Sequence, residues 1–329
     1  MKIIMIEPSG VAVARGNAVT VARWVSALRD AGHEVFHGSA DRISDFHSIQ
    51  NPDLVHAHHA VKSGLDAMPL AQTLGCPLVI SLGGTDAGAS SPDPAGLPAL
   101  RAARVILGPF DADAQRLGDP ALRAKFHRVR RGVPVPELPA PPRPHDTLKV
   151  LLAGALRPVK RQLDAVHFAE LLRNDGLDIE LSIVGPTLDD AYGLSVTQAV
   201  AAHDWCQFLG PVPARDMTQI YGSADLVLNL SESEGASNAL LEAWAHGLPV
   251  AATDVPGNRQ MLSPAPAVIS HLLPAYGEIT PETLHWVGTI AEGHATDREQ
   301  IAEAARTHVR LHHDPADELR ELVAAYRAG

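Results

Sequence analysis

Short apolar runs alternate with helical stretches along this chain in two series, and a proline-rich segment separates the series. Residues 3–6, 54–56, 78–82 and 105–107 form the first set of runs; 150–152, 179–184, 206–209, 225–230 and 250–253 form the second. Helical patterns fall at 18–31, 162–173, 189–203 and 214–221. Runs of this length without polar alternation are strands buried on both faces, so the pattern predicts an α/β protein with parallel sheets covered by helices. Between the series stands Val133-Pro-Val-Pro-Glu-Leu-Pro-Ala-Pro-Pro-Arg-Pro144, whose prolines forbid helix and inner strand and make it an extended linker. Two Rossmann-like domains follow: residues 1–143, ending in the linker 133–144, and residues 145–313. Their parallel sheets would face across a cleft, where a ligand belongs. Residues 314–329 read as a last helix that could pack back on the first domain, a crossing that the sequence alone does not show.

A chain of 329 residues, 46% of them apolar, can bury two ordinary cores. Its formal charge of −11 excludes the basic face that a phosphate backbone requires, so nucleic acid is not an expected partner. Cys76 and Cys206 are the only cysteines, which leaves no disulfide framework or cysteine metal site and suits a reducing cytoplasm. The opening apolar run is too short for a signal peptide and reads as a first strand. No run approaches the roughly 20 apolar residues of a spanning helix, and no strongly basic amphipathic helix appears; peripheral membrane contact stays open.

The densest chemistry lies in the second series. Ala224-Asp-Leu-Val-Leu-Asn-Leu230 is a strand, residues 231–235 turn, and Asn238-Ala-Leu-Leu-Glu-Ala-Trp-Ala-His is a helix ended by Gly247 and Pro249. A helix that begins at such a turn presents free backbone amides and roughly +0.5 of a charge, which favours an anion by about 0.3–2 kcal/mol. Glu234 and Glu242 flank the turn. Beside a bare diphosphate they would repel it, but carboxylates accept hydrogen bonds from hydroxyls. A nucleotide sugar carries hydroxyls on both sides of its diphosphate.

The full string, Ser-Glu-Gly-x-x-Asn-x-x-x-Glu-Ala followed by Gly-Leu-Pro-Val-x-x-Thr-Asp-x-x-Gly-Asn258, resembles the donor-site signature of the retaining GT-B glycosyltransferases of family 4, the glycosyltransferase group 1 family. The resemblance implies that Glu242 holds the donor ribose, that Glu234 meets the transferred sugar, and that the amides of Ala236, Ser237 and Asn238 bind diphosphate and sugar. In the same family a Gly-Arg-Leu-x-x-x-Lys-Gly loop neutralises the diphosphate. Here Gly154-Ala-Leu-Arg157-Pro-Val-Lys160 stands in its place, with Lys160 on the lysine and Ala155 on the arginine, a loss that Arg157 or Arg131 would have to cover. Gly210-Pro-Val-Pro213 is similar to the loop that holds the donor base through backbone groups, which points to Gly210 and Val212. Gly16-Asn17-Ala-Val-Thr20 opens the first helix; Asn17 or Thr20 would cap it, and Gly16 and Asn17 would meet the donor phosphate or the acceptor.

With Leu-Gly83-Gly84-Thr85-Asp86, these segments resemble the branch that holds the glycosyltransferase 1 domain-containing protein 1 group and the bacterial selenosugar synthases. Many family members carry a histidine where this chain has Gly83, beside the transferred sugar, so the reaction would lean on a backbone amide or on Asp86, expected to line the cleft. The other candidates read more plainly. His56-Ala-His58-His59 are loop histidines near the cleft, without the partners that complete a zinc site. Asp111-Ala-Asp113 caps a helix. Arg123, Lys125, Arg128 and Arg130 form a solvated face, and only Arg131 reaches the cleft.

The resemblance therefore implies transfer of a hexosyl or N-acetylhexosaminyl group from a nucleotide diphosphate sugar, expected to be UDP-linked, with retention and without metal or cofactor. Lys160, Glu234 and Asp86 would be the catalytic set, and the acceptor, which the resemblance does not identify, would be a small molecule, a glycan or a lipid-linked molecule. The alternatives are a selenosugar synthase or nucleotide-sugar epimerase on the same fold, or a non-catalytic nucleotide-sugar-binding subunit.

Overall fold

The computed structural model describes residues 1–8, 16–84, 86, 91–137, 147–274 and 278–328. The chain divides into two units, Met1–Gly132 with Pro315–Gly329, and Val133–Asp314. The first part of the proline-rich segment, residues 133–137, is neither helix nor strand; residues 138–144 lie outside the described residues.

In the first unit the order is β1 (Lys2–Glu7), α1 (Gly16–Asp30), β2 (Glu34–Ser39), β3 (Leu54–His58), α2 (Leu65–Leu74), β4 (Leu78–Ser81), α3 (Leu97–Ala102), β5 (Val105–Gly108), α4 (Asp111–Arg116), α5 (Pro120–Arg123) and β6 (Phe126–Arg128). The strands pair in parallel in the order β2-β1-β3-β4-β5-β6. Successive side chains of β1 serve opposite faces: Ile4 and Ile6 join the core under α2 and α3, while Ile3 and Met5 join the core under α1. The second core is closed by the chain's last helix (Pro315–Arg327), through Leu322, Ala325 and Tyr326. Its buried Glu318 receives Arg23 Nε and Nη2 at 3.0 Å each and Trp24 Nε1 at 2.7 Å. A carboxylate this deep is tolerable only with such a full set of donors.

Three expectations are corrected in this unit. His56 and His58 are not loop residues: they lie within β3, wholly buried against Trp24. Arg130 is not on a solvated face but pairs with Glu321 and Asp317 of the last helix. Arg131 is buried, with its guanidinium over the Trp24 ring at 4.7 Å. Asp113, in contrast, does cap α4, accepting from the Phe110 amide at 3.0 Å, and pairs with Arg116.

The buried histidines make the unit acid-sensitive. Ser81 Oγ bridges His56 Nε2 at 2.9 Å and His58 Nδ1 at 2.7 Å, and Tyr326 Oη meets His56 Nδ1 at 2.6 Å. Burial, helped by the Arg131 charge, lowers His56 to about 3 and pushes His58 well below its ordinary value. The unfolded chain binds these protons near pH 6.5 and the folded chain refuses them, so the stability they confer is complete above pH 6.5 and drains as pH falls toward 3. The slope is about 1.4 kcal/mol per pH unit for each histidine. Urea midpoints of the wild type should fall steeply between pH 6.5 and 4.5, and a His56→Gln variant should show a flatter dependence; equal slopes would remove His56 from the account.

The second unit runs β7 (Leu148–Ala153), α6 (Gln162–Asn174), β8 (Ile179–Val184), α7 (Asp190–Ala201), β9 (Cys206–Phe208), α8 (Met217–Gly222), β10 (Leu226–Asn229), α9 (Asn238–Ala245), β11 (Val250–Thr253), α10 (Pro256–Leu262), β12 (Ser270–Leu273), α11 (Pro281–Glu292) and α12 (Ala295–His312); the last helix is then α13. All its strands pair in parallel in the order β12-β11-β10-β7-β8-β9. Read from the other edge, the unit's strands run third, second, first, fourth, fifth, sixth. The order reverses between β7 and β10. In open α/β sheets the carboxyl ends of the two strands at such a reversal splay their loops apart and leave a crevice for a ligand.

Candidate active site

The loops that leave β7 and β10 are the two that carry the lysine and glutamate signatures. After β7, residues 154–157 lead into a single 3-10 turn, Pro158–Lys160, closed by Arg161 in the left-handed region at φ 52°. After β10, residues 231–237 lead into α9. The Glu232 amide donates to the Val159 carbonyl at 3.0 Å, tying the loops together. Across that tie Lys160 Nζ forms an ion pair with Glu234 Oε1.

Glu234 is held from one side only. Its Oε1 also accepts from Asn229 Nδ2 at 3.0 Å and Ser231 Oγ at 2.8 Å, whereas Oε2 accepts from no group among the described residues. Burial works against the charge of this carboxylate, but the Lys160 ammonium, with the bonds from Asn229 and Ser231, outweighs it and holds the group below its usual range. It is therefore ionised at neutral pH, with one oxygen committed and one available.

The amides beside it divide in the same way. Gly235 and Ala236 donate to no group among the described residues, while the Ser237 amide is given to Met261 Sδ at 3.1 Å and its hydroxyl accepts from Asn229 at 3.1 Å. So the anion-facing role expected of Ser237 does not fit its amide, which α10 has already engaged. Asn238 starts α9. One turn on, Glu242 accepts at Oε2 from Tyr221 Oη at 2.8 Å. Burial, then the Glu242 charge, push the Tyr221 phenol well above its ordinary value and keep it a proton donor to that carboxylate. His246 stacks on the Tyr221 ring at 4.8 Å and gives Nδ1–H to the Glu242 carbonyl at 2.6 Å.

Two glycines set the backs of the loops. A Cβ on Gly257 would lie 2.1 Å from the Glu234 carbonyl oxygen, and one on Gly185 would lie 2.2 Å from that of Gly154. Gly210, at φ 70°, accepts from the Gly185 amide at 2.9 Å, and Val212 follows it half-buried in the same loop. Arg157 sits in the β7 loop with its Nε buried and without a hydrogen-bond partner, a cation not yet spent. The structure thus brings Lys160, Glu234, Arg157, Ala236 and Ser237 onto the loops at one sheet reversal, with Asn238 and Glu242 on the helix α9 that follows. Asn229, Ser231, Tyr221, Met261 and Gly257, to which the sequence reading assigned no role in the site, hold them there.

Gly16, Asn17 and Asp86 belong to the first unit. Gly16 and Asn17 form the first turn of α1. Asp86 is not an open carboxylate: it is 1% exposed, accepts from the Gly83 and Ala60 amides at 2.7 and 2.9 Å, and has His59 Nδ1 2.6 Å away. The Val61 and Lys62 amides donate to the same His59 Nδ1, at 3.3 Å each. His59 adopts φ 87°, a left-handed conformation that costs a non-glycine residue about 1–3 kcal/mol, and its ring fills the space beside Gly83: a Cβ there would meet His59 Cδ2 at 2.9 Å. The volume a side chain at position 83 would take is occupied instead by His59, the residue that follows β3.

Comparison with known proteins bears on the second unit most directly. Residues 147–269 match the family model for glycosyl transferases group 1. The curated glycosyltransferase 1 domain-containing protein 1 of Xenopus tropicalis is 31% identical over 121 residues, a stretch covering 36% of this chain and about a third, 34%, of that relative. Over whole chains the structure is similar to Anabaena HepE in complex with UDP and glucose, with a TM-score of 0.76 at 16% identity and full coverage of both chains. It is also similar to the sucrose-phosphate synthase of Thermosynechococcus elongatus, with a TM-score of 0.79 at 15% identity, covering 99% of this chain and 98% of that one. These likenesses bear out the expected α/β fold, two Rossmann-like domains of the GT-B class.

Proposed function

We propose that this chain is a retaining glycosyltransferase that moves a hexosyl or N-acetylhexosaminyl group from a UDP-linked sugar to an acceptor. The observation that carries the reading is the pairing of Lys160 with Glu234 across the sheet reversal, beside the unengaged amides of Gly235 and Ala236, inside a stretch that matches glycosyl transferases group 1. The diphosphate rests on those amides at the start of α9 and is neutralised by Lys160, with Arg157 supplying the cation that Ala155 lacks. Glu234 Oε2 accepts from a sugar hydroxyl, and Glu242, aimed by Tyr221, accepts from the ribose. As the glycosidic bond breaks, charge builds on the leaving phosphate oxygen, where preorganised donors act most strongly. In this front-face course no carboxylate acts as a covalent nucleophile, and the leaving group is neutralised by protein cations and amides, so the proposed reaction calls on no metal. UDP is favoured as the nucleotide because the structurally similar HepE is bound to UDP and glucose.

Calorimetry with UDP-, GDP- and ADP-linked sugars, with hydrolysis followed by phosphorus NMR, tests the class. Selective binding of a UDP sugar with slow hydrolysis is expected; absence of any nucleotide-sugar binding overturns the reading. Glu242→Ala should weaken UDP-sugar binding by about tenfold to a hundredfold, the equivalent of one or two charge-assisted hydrogen bonds. Tyr221→Phe should reproduce part of that loss. Unchanged affinity in Glu242→Ala would remove the ribose role.

A further inference from the structure

At the C-terminal end of α9, where β10 and β11 begin, the second unit holds a cavity of about 540 Å³ lined by Tyr221, His246, Pro249, Ile290, Ile301 and Arg306 among others. That volume is typical of small-molecule sites. Neither Lys160 nor Glu234 nor Glu242 lines it, and the proposed transfer reaction makes no use of it.

Most of its exposed wall area is apolar; of the charged residues that also line it, Arg298 pairs with Asp225 and Arg215 with Asp216, which leaves Arg306 and His246 as the polar groups that stand out. Arg306 has a buried Nε without a partner, only a long 3.4 Å approach from Nη2 to the His246 carbonyl, and no ion pair among the described residues. His246 gives its Nδ1 proton to the Glu242 carbonyl; burial first, with the Arg306 charge adding to it, lowers its affinity for a second proton. Its Nε2 is then a bare acceptor, buried and without a donor. A buried polar atom without a partner costs about 1–3 kcal/mol, and here a cation short of an anion adjoins an acceptor short of a hydroxyl.

We propose that this cavity is a ligand site for a small hydroxycarboxylate with an apolar body, its carboxylate on Arg306, its hydroxyl donating to His246 Nε2 and its apolar part against Pro249, Ile290 and Ile301. The occupant would touch the two side chains that fix Glu242, since Tyr221 donates to its carboxylate and His246 to its carbonyl. Filling the cavity locks both rings and so tightens nucleotide binding, and by linkage the nucleotide tightens the ligand equally. This coupling rests on the ribose role proposed for Glu242; the site itself does not.

Mandelate, which joins a carboxylate, an adjacent hydroxyl and a phenyl ring, is the probe. Titrated into protein with labelled isoleucine methyl groups, it should shift Ile290 and Ile301 and saturate. Phenylacetate, lacking the hydroxyl, and 1-phenyl-1,2-ethanediol, lacking the carboxylate, should bind several-fold more weakly. Arg306→Gln should lose about tenfold or more in mandelate affinity, the scale of one charge-assisted bond. Ile301→Trp should abolish mandelate binding while keeping a native circular dichroism spectrum and UDP binding. No shift at either isoleucine, or equal mandelate affinity in Arg306→Gln, overturns the site. Mandelate should tighten UDP about fivefold, and an unchanged UDP Kd with mandelate bound overturns the coupling. Mandelate binding without any UDP binding would overturn the donor reading and leave the site standing.

Discussion

Replacing Lys160 by Met should lower turnover by about a hundredfold to a thousandfold while changing UDP affinity far less, because the ammonium acts most on charge that appears as the leaving group departs. The same change should cost stability. Lys160 and Glu234 are 18% and 10% exposed, and removing one partner of a largely buried pair leaves the other charge uncompensated, a loss of about 3–5 kcal/mol. The two effects separate by pH. In the wild type Glu234 titrates below its usual range, so its contribution is present above the unfolded carboxylate pKa and is lost as pH falls through the folded value. Without Lys160, burial opposes ionisation with only Asn229 and Ser231 against it, and the carboxyl titrates higher. The variant's penalty is then largest at neutral pH and eases as pH drops and the carboxyl takes a proton. Urea melts of both proteins from pH 7.5 to 4 should therefore converge at the acid end. A stability gap independent of pH would show that Glu234 is not the group left exposed to burial, and an unaltered turnover would take Lys160 out of the mechanism.

What could be read from the sequence follows from where each residue's partners lie. The inner strands β1, β3, β4, β5, β7, β8, β10 and β11 announce themselves as continuous apolar runs, since helices cover both of their faces. The strands that escaped, Glu34–Ser39, Phe126–Arg128 and Ser270–Leu273, are all sheet edges, where one flank has no neighbour and the apolar run thins to a polar-rich mixture. The site shows the same division. Glu234, Glu242 and Lys160 are legible because a turn-and-helix start encodes them locally. Tyr221 and Met261 come from α8 and α10, brought in by the packing of the sheet, and no spacing within their own segments marks them. The buried histidines were misplaced for a related reason: His56 and His58 interrupt an apolar strand and look like loop residues until Ser81 and Tyr326, from distant parts of the chain, supply their hydrogen bonds.

Gly257→Ala should damage the site from behind. The glycine lies in the first turn of α10 in a helical conformation open to any residue, so alanine brings no backbone penalty and on propensity alone should help the helix. What opposes it is contact: the new Cβ would stand 2.1 Å from the Glu234 carbonyl oxygen and 2.4 Å from that of Gly235, and these are backbone atoms that cannot rotate aside. The 234–235 segment must recoil, which carries Glu234 off Lys160 and turns the Gly235 and Ala236 amides out of register with a diphosphate. Overpacking of this kind costs about 1–3 kcal/mol of stability, and misplacing the anion-binding amides should weaken UDP by about tenfold or more. Gly288→Ala is the matched control. It lies within α11 with nothing within 4 Å of the added methyl, and should be neutral or stabilising by about 0.5–1 kcal/mol with UDP affinity intact. The comparison isolates position from chemistry, since the same methyl is added to a helix in both variants. Should Gly257→Ala keep full UDP affinity despite a measurable loss of stability, the 234–236 segment would be a structural turn and the diphosphate would have to be placed elsewhere on the unit.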